Sequence, residues 1–259
     1  MPGKSIGECG VKGVVIAAGR GSRFQETRES KPLCPVLGRA LIEWVILSAR
    51  QAGLRDFVVV TGYAREKVEP HLRDLALREG ITVSFVFNDE WEKENGLSVA
   101  KAENLAGDKF ALLMSDHIFD PDVLARLMAQ PVGRDETILA VDTNVTDHPT
   151  VDLDDVTKVM VEDGKILAIG KTIEAYNAFD TGMFLGTSGL FRALEESRKR
   201  GDFSLSGGMR ILMEGRKARV MDVGRGFWID VDDERAREKA EALLAARGAS
   251  LPASGNQKS

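Results

Sequence analysis

The chain of 259 residues is poor in several features, and each scarcity excludes a class of protein. Two cysteines, Cys9 and Cys34, cannot frame a disulfide-rich fold, so we expect free thiols and a reducing, cytoplasmic compartment. No apolar run approaches the ~18 residues of a membrane span, and residues 1–10 lack the apolar core of a signal peptide. A net charge of −5 argues against a basic surface that binds nucleic acid.

The length and the pattern of apolar residues instead favour one α/β domain. We expect it to cover residues 1–248, with a flexible Ser-, Gly- and Pro-containing tail at 249–259. Short apolar runs alternate with helical stripes in the first half, which is typical of βαβ units and a parallel sheet. The predicted strands are 14–18, 57–61, 81–87, 110–114 and 137–141, and the predicted helices are 40–52 and about 68–79.

Beyond residue 141 the pattern changes. Strands at 156–161, 165–169 and 183–185 follow without long helices between them, and Asp163-Gly164 predicts a hairpin turn. We therefore expect antiparallel strands layered onto the end of the parallel sheet. Asp120 and Pro121 predict an N-cap and the first residue of a helix. Further predicted elements are helices at 188–199, 206–214 and 233–246 and a strand at 218–223.

The loop after the first strand carries the clearest functional pattern. The string GRGSR at 19–23 follows the apolar run 14–18, and its glycines let backbone N–H groups approach an anion closely. Arg20, Arg23 and Lys31 add positive charge, so the loop suits a polyphosphate. The spacing is neither GxGxxG nor GxxxxGK[ST], which argues against a nucleotide-binding dehydrogenase.

The string AAGRGSRF at 17–24, followed by KPL at 31–33, resembles the signature loop of the nucleotidyltransferases that make NDP-sugars and CDP-alcohols. The resemblance implies a Rossmann-like three-layer αβα sandwich with a mixed, mostly parallel sheet. It implies nucleotide binding by about 11–145 and acceptor binding by about 146–232. It also implies catalytic roles for Arg23 and Lys31. The implied nucleotide contacts in this loop are Ala17, Ala18, Gly19, Gly21, Ser22 and Arg23.

Carboxylates at two distant points of the chain suit a Mg²⁺ site. Asp116 follows the strand 110–114, at the carboxyl end where open α/β sheets bind ligands. Mg²⁺ prefers one or two carboxylates together with phosphate oxygens. Asp230 and Asp232 lie one residue apart on a strand end and face the same side. The resemblance implies that Asp116, which is also catalytic, holds Mg²⁺ together with Asp230 or Asp232, and it leaves the choice between these two open.

Two further groups of residues are expected to bind the substrates. Amide and hydroxyl groups in Asn95-Gly96-Leu97-Ser98 suit the edge of a pyrimidine, and similar strings line the base pocket of cytidylyltransferases in the family. The resemblance thus implies base contacts for Asn95, Gly96 and Ser98. Later strands are expected to bind the acceptor. The candidate acceptor-binding residues are His117, Lys171, Asp180, Thr181 and Gly182.

The strings MSDH at 114–117, DTGMF at 180–184, LSGG at 205–208 and WIDVD at 228–232 look most like the CTP:inositol-1-phosphate cytidylyltransferases. This implies Mg²⁺-dependent transfer of CMP from CTP to inositol 1-phosphate, giving CDP-inositol and pyrophosphate for di-myo-inositol phosphate synthesis. A membrane-embedded transferase would act downstream. The sequence leaves a homo-oligomer open.

Several alternatives stay open at this point. The acceptor could be phosphocholine, 2-aminoethylphosphonate or a sugar phosphate, with CTP or UTP as donor. A cationic acceptor would need an aromatic or acidic cage, and the few tyrosines and tryptophans do not place one. A non-catalytic relative would be expected to have lost loop cations or metal acids. Arg23, Lys31, Asp116 and the pair Asp230 and Asp232 are all present, which argues against that reading.

Overall fold

A computed structural model describes residues 10–21, 30–146, 148 and 150–248. Two of the predicted nucleotide contacts, Ser22 and Arg23, lie outside these residues, as do Cys9 and the predicted tail 249–259. The described residues fold into a nine-stranded mixed sheet with two small two-stranded ribbons beside it. This agrees with the predicted mixed α/β architecture.

The first part of the chain alternates strands and helices as predicted, with short extra elements. In chain order these are β1 (Lys12–Ala17), a 3₁₀ turn (Lys31–Leu33), β2 (Pro35–Val36), β3 (Arg39–Ala40), α1 (Leu41–Gln51), β4 (Asp56–Thr61), α2 (Arg65–Glu79), β5 (Thr82–Phe87), α3 (Asn95–Lys101), α4 (Glu103–Ala106), β6 (Lys109–Met114), β7 (His117–Phe119), α5 (Pro121–Met128) and β8 (Thr137–Asp142). The predicted strand and helix types in this part are confirmed, and the boundaries differ by a few residues.

The second part contains the elements that complete the sheet. They are β9 (Lys158–Glu162), β10 (Lys165–Gly170), β11 (Ala178–Thr187), α6 (Ser188–Lys199), α7 (Leu205–Glu214), β12 (Ala218–Asp222), β13 (Trp228–Asp230) and α8 (Glu234–Ala246). β9 and β10 form the predicted hairpin, in which Asp163 and Gly164 both have positive φ, 49° and 71°. Two positive φ values are what a two-residue hairpin turn of this type requires.

The strands lie in the order β5, β4, β1, β6, β11, β8, β12, β10 and β9. β5, β4, β1 and β6 run parallel, and so do β8 and β12. The prediction that antiparallel strands lie at the end of the sheet is wrong for β11, which is inserted between β6 and β8. β11 is also longer than the predicted 183–185, because pairing on both edges buries almost its whole length.

Alternate residues of the central strands face two separate cores. On β1, Val15 belongs to the core that α1, α2 and α5 cover, and Val14 belongs to the core that α3, α6 and α7 cover. A third apolar cluster joins α1 to β13 and α8, and it includes Trp44 and Ile229. Because α1 packs on both sides, all of Leu41 to Ala49 is buried. This packing fixes β13 relative to the sheet and so places the carboxylate of Asp230.

Candidate active site

A two-stranded ribbon brings the two distant carboxylate strings together. β7 pairs antiparallel with β13, so that His117 lies opposite Asp230. The backbone N–H of Val231 donates to the carbonyl of Asp116 at 3.0 Å. At the neighbouring strand end, the N–H of Ser115 donates to the carbonyl of Ile16 at 3.1 Å. The carboxyl ends of β1 and β6 therefore meet β13, as expected for ligand binding in an open α/β sheet.

Lys31 lies in the middle of these carboxylates. Its Nζ donates to Asp116 Oδ2 at 2.6 Å and also to Asp232 Oδ1, and its side chain is only 9% exposed. Gly21 packs directly on this lysine with φ +66°, and a Cβ at that position would collide with the Lys31 side chain. A glycine of the signature loop thus makes room for the buried cation.

Opposite charges control the protonation of this cluster. Burial acts against the charged form of Lys31, but Asp116, Asp230 and Asp232 outweigh it and hold the pKa of the ammonium above its usual range. Burial alone would raise the pKa of Asp116, but Lys31 and His117 hold it well below its usual value. Lys31 and Asp116 are therefore a charged pair at neutral pH.

The pKa values of His117 and Asp230 are both raised above their usual values. Burial disfavours the imidazolium of His117, yet Asp230 and the hydrogen bond from Nδ1 to Asp116 Oδ1, 2.8 Å long, raise its pKa to about 9. Burial is the main reason that the pKa of Asp230 is raised, and the negative charge of Asp116 adds to it. His117 and Lys31 act in the opposite direction on Asp230, but their positive charges only partly offset the effect of burial.

The donor set fits a hard divalent cation. Asp116, His117 and Asp230 each offer one ligand atom, and these atoms lie within 4.8 Å of one another; Asp155, Asp230 and Asp232 form a second such group. Oδ1 of Asp230 is buried and makes no hydrogen bond with any described residue. The nearest imidazole nitrogen, His117 Nδ1, is 3.6 Å away. Carboxylate oxygens, one of them unsatisfied, are suitable ligands for such an ion.

A cavity of about 550 Å³ opens beside this cluster. His117, Trp228, Asp230 and Asp232 line it. The segment 150–157, the beginning of α8 and Asn95 line it as well. The cavity is large enough for a small phosphorylated molecule next to the carboxylates.

The structure separates the predicted acceptor residues into two groups. Asp180 and Gly182 line the cavity with His117, and burial raises the pKa of Asp180 to about 6. Lys171 also lines it and pairs with Asp155 at 2.6 Å. Thr181 is fully buried, and its hydroxyl donates to the carbonyl of Ala140 at 2.8 Å. The side chain of Thr181 therefore bonds to the sheet and does not line the cavity.

The predicted base contacts are divided in the same way. Asn95 is exposed, and its Oδ1 accepts from the N–H of Leu205 at 2.9 Å. Gly96 is buried in α3 against the backbone of Phe203 and Ser204. Ser98 is buried as well and accepts from Asn88 Nδ2 at 2.9 Å. Of these residues, Asn95 is the one with a side chain open to a ligand.

The described part of the signature loop lies at the end of β1. Ala17 and Ala18 are buried, and the carbonyl of Ala18 accepts from the N–H of Tyr63 at 2.9 Å. Gly19 is exposed, and a Cβ there would meet no atom of the described residues within 4 Å. Space above Gly19 leaves its backbone open to a phosphate. Lys31 joins this loop to the cavity through Asp232.

The sequence reasoning missed two cations of the cavity wall. Arg235 and Lys239 lie four residues apart on α8 and both line the cavity. A spacing of four places them on the same face of the helix. The spacing can be read from the sequence, but it does not indicate a binding site until the structure shows which face of α8 lines the cavity.

Comparisons with known proteins identify the class. Residues 13–162 match the family described as the MobA-like NTP transferase domain. The match covers more than half of the 259 residues, and the chain belongs to this family. Within the described residues, every helix is too short or too polar to cross a lipid bilayer.

Individual relatives and one solved structure show which proteins of known name the chain is similar to. A bifunctional IPC transferase and DIPP synthase of Thermococcus kodakarensis is 34% identical over 235 residues, which is 90% of this chain and 50% of that protein. A CMP-5'-(3-aminopropyl)phosphonate synthase of Streptomyces rubellomurinus is 30% identical over 258 residues, 89% of this chain and 38% of that protein. The chain thus spans half the length, or less, of these two curated relatives. The inositol-1-phosphate CTP transferase of T. maritima has the same fold, with a TM-score of 0.78 at 24% identity over 90% of this chain and 96% of that one.

Proposed function

We propose that this chain is a cytidylyltransferase that transfers CMP from CTP to inositol 1-phosphate and releases pyrophosphate. The observation that carries the proposal is the position of Lys31 between Asp116 and Asp232, in a cluster whose Asp230 and Asp232 line a cavity. A triphosphate needs a cation and metal-binding carboxylates at one point. The choice of CTP and inositol 1-phosphate is supported by the names of the relatives from T. kodakarensis and T. maritima.

The reaction requires no covalent intermediate on the protein. An oxygen of the acceptor phosphate attacks the α-phosphorus of CTP, and the new P–O bond forms as the bond to the β-phosphate breaks. The electron pair leaves with pyrophosphate. A phosphate monoester is already a nucleophile at neutral pH, so no side chain has to remove a proton. Positioning and charge neutralisation are then the main sources of rate.

The nucleotide would lie along the end of β1. Backbone groups at Gly19 and Gly21, together with Ser22 and Arg23, would receive the β- and γ-phosphates, above the strand end formed by Ala17 and Ala18. Lys31 would offset charge on the oxygens of the α-phosphate. Asn95 would contact the cytosine, while Gly96 and Ser98 hold α3 in place through the contacts described above.

We propose Mg²⁺ as the divalent cation, held by the carboxylates of Asp116, Asp230 and Asp232. The oxygen-rich donor set and the unsatisfied Oδ1 of Asp230 support this choice. When bound, the ion would neutralise negative charge on the transferring phosphate. His117 donates to Asp116 and so fixes the orientation of that carboxylate.

The acceptor phosphate would bind against α8. Arg235 and Lys239 line the cavity, and neither forms an ion pair with a described residue. Arg237, by contrast, lies between them in sequence and pairs with Glu234 and Glu241. The positive end of the helix dipole adds to the attraction for a phosphate. Lys171, which Asp155 holds at the cavity wall, would be a third cation for the acceptor.

The acceptor is tested by pyrophosphate release from CTP with Mg²⁺, comparing inositol 1-phosphate, glucose 1-phosphate, phosphocholine and 2-aminoethylphosphonate. We expect the highest kcat/KM with inositol 1-phosphate, and no release in EDTA. A higher value with an aminophosphonate would replace the acceptor and keep the reaction type. Release from UTP that exceeds release from CTP would overturn the choice of donor.

The product of this reaction would be a CDP-alcohol, which needs a second enzyme to use it. The relative from T. kodakarensis carries a DIPP synthase activity in its name. We propose a membrane-embedded transferase of that kind as the downstream partner. Its coupling to this chain is tested by adding membranes that contain such an enzyme and following consumption of the CDP-alcohol.

A further inference from the structure

The segment 150–157 is a strap across one side of the cavity. It contains no helix or strand, yet seven of its residues line the cavity. Val151 and Val156 pack against the core, whereas Leu153 between them is 52% exposed. The strap therefore has anchored ends and an open centre.

A buried chain of polar groups holds the first end of the strap. The hydroxyl and the amide of Thr150 lie 3.0 and 3.3 Å from Nδ1 of His148. Nε2 of the same imidazole lies 2.8 Å from Oδ2 of Asp142. The side chains of His148 and Asp142 are 10% and 4% exposed. At the other end, the N–H of Asp180 donates to the carbonyl of Thr157 at 2.9 Å.

Asp142 connects these polar groups to β13, the strand that carries Asp230. The indole N–H of Trp228, at the start of β13, donates to Asp142 Oδ2 at 2.7 Å. The N–H of Asn144 donates to the other carboxylate oxygen at 2.9 Å. One buried carboxylate thus accepts hydrogen bonds from β13, from the imidazole that holds the strap and from its own loop.

These contacts determine the tautomer of His148. A carboxylate accepts hydrogen bonds, so Nε2 must carry the proton that bonds to Asp142. The amide N–H of Thr150 donates to Nδ1, so Nδ1 is unprotonated and also accepts from the Thr150 hydroxyl. That hydroxyl has used its hydrogen, and only its lone pairs remain for the cavity that Thr150 lines.

We propose that Asp142 and His148 are positioning residues that hold the strap over the cavity and turn the hydroxyl of Thr150 into a hydrogen-bond acceptor for a hydroxyl of the substrate. A polyol phosphate offers such a donor, and a trimethylammonium group does not. The identity of the substrate rests on the proposed function. The anchoring of the strap does not, because the contacts that make it are all within the chain.

The anchoring is tested by hydrogen–deuterium exchange on the full chain without substrate. We expect peptides that cover 150–157 to exchange about tenfold faster in His148→Ala and Asp142→Ala than in the wild type, because each change removes a link that closes the strap. Exchange in β1 and β4 should not change. Unchanged exchange in the strap of both folded variants would overturn the anchoring, whatever reaction the protein catalyses.

The role of Thr150 is tested by the KM for each substrate. Thr150→Val is expected to raise the KM for inositol 1-phosphate about five- to tenfold, since it removes one hydrogen bond, and to leave the KM for CTP unchanged. Thr150→Ser, which keeps the hydroxyl, should have a KM for inositol 1-phosphate close to that of the wild type. Thr143→Val is the matched control, because the Thr143 hydroxyl bonds to Asp222 and not to the cavity.

A wild-type KM for inositol 1-phosphate in Thr150→Val, or an equal rise in both KM values, would overturn the role of Thr150. Absence of any CMP transfer by the wild-type protein would be a failure of the proposed function. In that case the exchange measurement still decides whether Asp142 and His148 hold the strap.

Discussion

Nζ of Lys31 lies 2.6 Å from Oδ2 of Asp116, although 85 residues separate the two in sequence. The same ammonium bonds to Asp232, 201 residues away. One buried cation therefore joins the loop after β1, the end of β6 and the end of β13. These are the three places where the sequence carries the patterns predicted to bind phosphate and metal.

Loss of either member of the pair should slow the reaction strongly while the protein stays folded. We expect Lys31→Met and Asp116→Asn each to lower kcat at least ~100-fold, because loss of one preorganised charged group commonly costs ~3–4 kcal/mol in the transition state. Asp122→Asn, an exposed change on α5, is the control for charge. A kcat within a few-fold of wild type in either variant, with thermal unfolding intact, would remove that residue from the mechanism.

Gly182 should be required for the position of His117. A Cβ at Gly182 would lie 2.5 Å from Cδ2 of His117, and the residue has φ +75°. We expect Gly182→Ala to displace the imidazole, lower kcat and reduce the free energy of unfolding by more than the ~1–2 kcal/mol that a left-handed L-residue costs alone. Chemical denaturation and steady-state kinetics measure the two effects.

Gly164→Ala is the matched control for that variant. Gly164 has φ +71° in the hairpin between β9 and β10, and a Cβ there would meet nothing within 4 Å. It should show the backbone cost of ~1–2 kcal/mol and a normal kcat. Equal losses of stability and equal activities in the two variants would show that the contact with His117 does not matter.

The cations of α8 should act on the acceptor and not on the nucleotide. We expect Arg235→Gln and Lys239→Gln each to raise the KM for inositol 1-phosphate about tenfold, because a charged hydrogen bond to phosphate contributes about 1.5–3 kcal/mol and these side chains are partly solvated. The KM for CTP should stay the same.

Arg237→Gln provides the comparison on the same helix. It removes the same charge, but Arg237 pairs with Glu234 and Glu241 and does not line the cavity. We expect a normal KM for both substrates in this variant. A rise in the acceptor KM that is equal in all three variants would point to net charge and exclude a specific phosphate site.

Asp180 should reduce stability at neutral pH. Burial raises its pKa to about 6 in the fold, above the ~3.9 of an unfolded chain. As the pH rises from about 4 to 6, the unfolded chain ionises before the folded one, so this residue lowers stability, and above about pH 6 the deficit is constant. Asp180→Asn, which can still accept the hydrogen bond from Gly182 N–H, should therefore raise Tm at pH 7.5 and not at pH 4. A Tm difference that is the same at both pH values would contradict this assignment.

The sequence predicts the parallel half of the fold well, because short apolar runs and helical stripes there are local signals. It does not predict the insertion of β11 between β6 and β8, since strand pairing depends on contacts distant in sequence. The partner of the Asp120 side chain also depends on a contact distant in sequence. α5 begins after it as predicted, but its carboxylate accepts from the N–H of Phe227 at 2.9 Å and makes no side-chain cap. Asp233, in contrast, caps α8 as predicted.

Some residues of the candidate site can be predicted from the sequence and others cannot. Asp116 and Lys31 can be chosen from short strings, and both lie in the cluster. Thr181 and Ser98 lie in equally suggestive strings, but alternation along a strand and the turn of a helix point their hydroxyls into the protein. His148 and Asp142 carry no sequence pattern at all. Their connection to Trp228 exists only because β8 and β13 meet in the fold.

The proposed reaction joins the α-phosphate of CTP to the acceptor phosphate. We would incubate the purified chain with Mg²⁺, inositol 1-phosphate and CTP labelled at the α-phosphorus, and separate the products. We expect one labelled CDP-inositol for each unlabelled pyrophosphate, no product in EDTA, and recovery when excess Mg²⁺ is added. Label in CMP alone, or no labelled CDP-alcohol with any of the four acceptors from a protein shown to be folded, would contradict the claim.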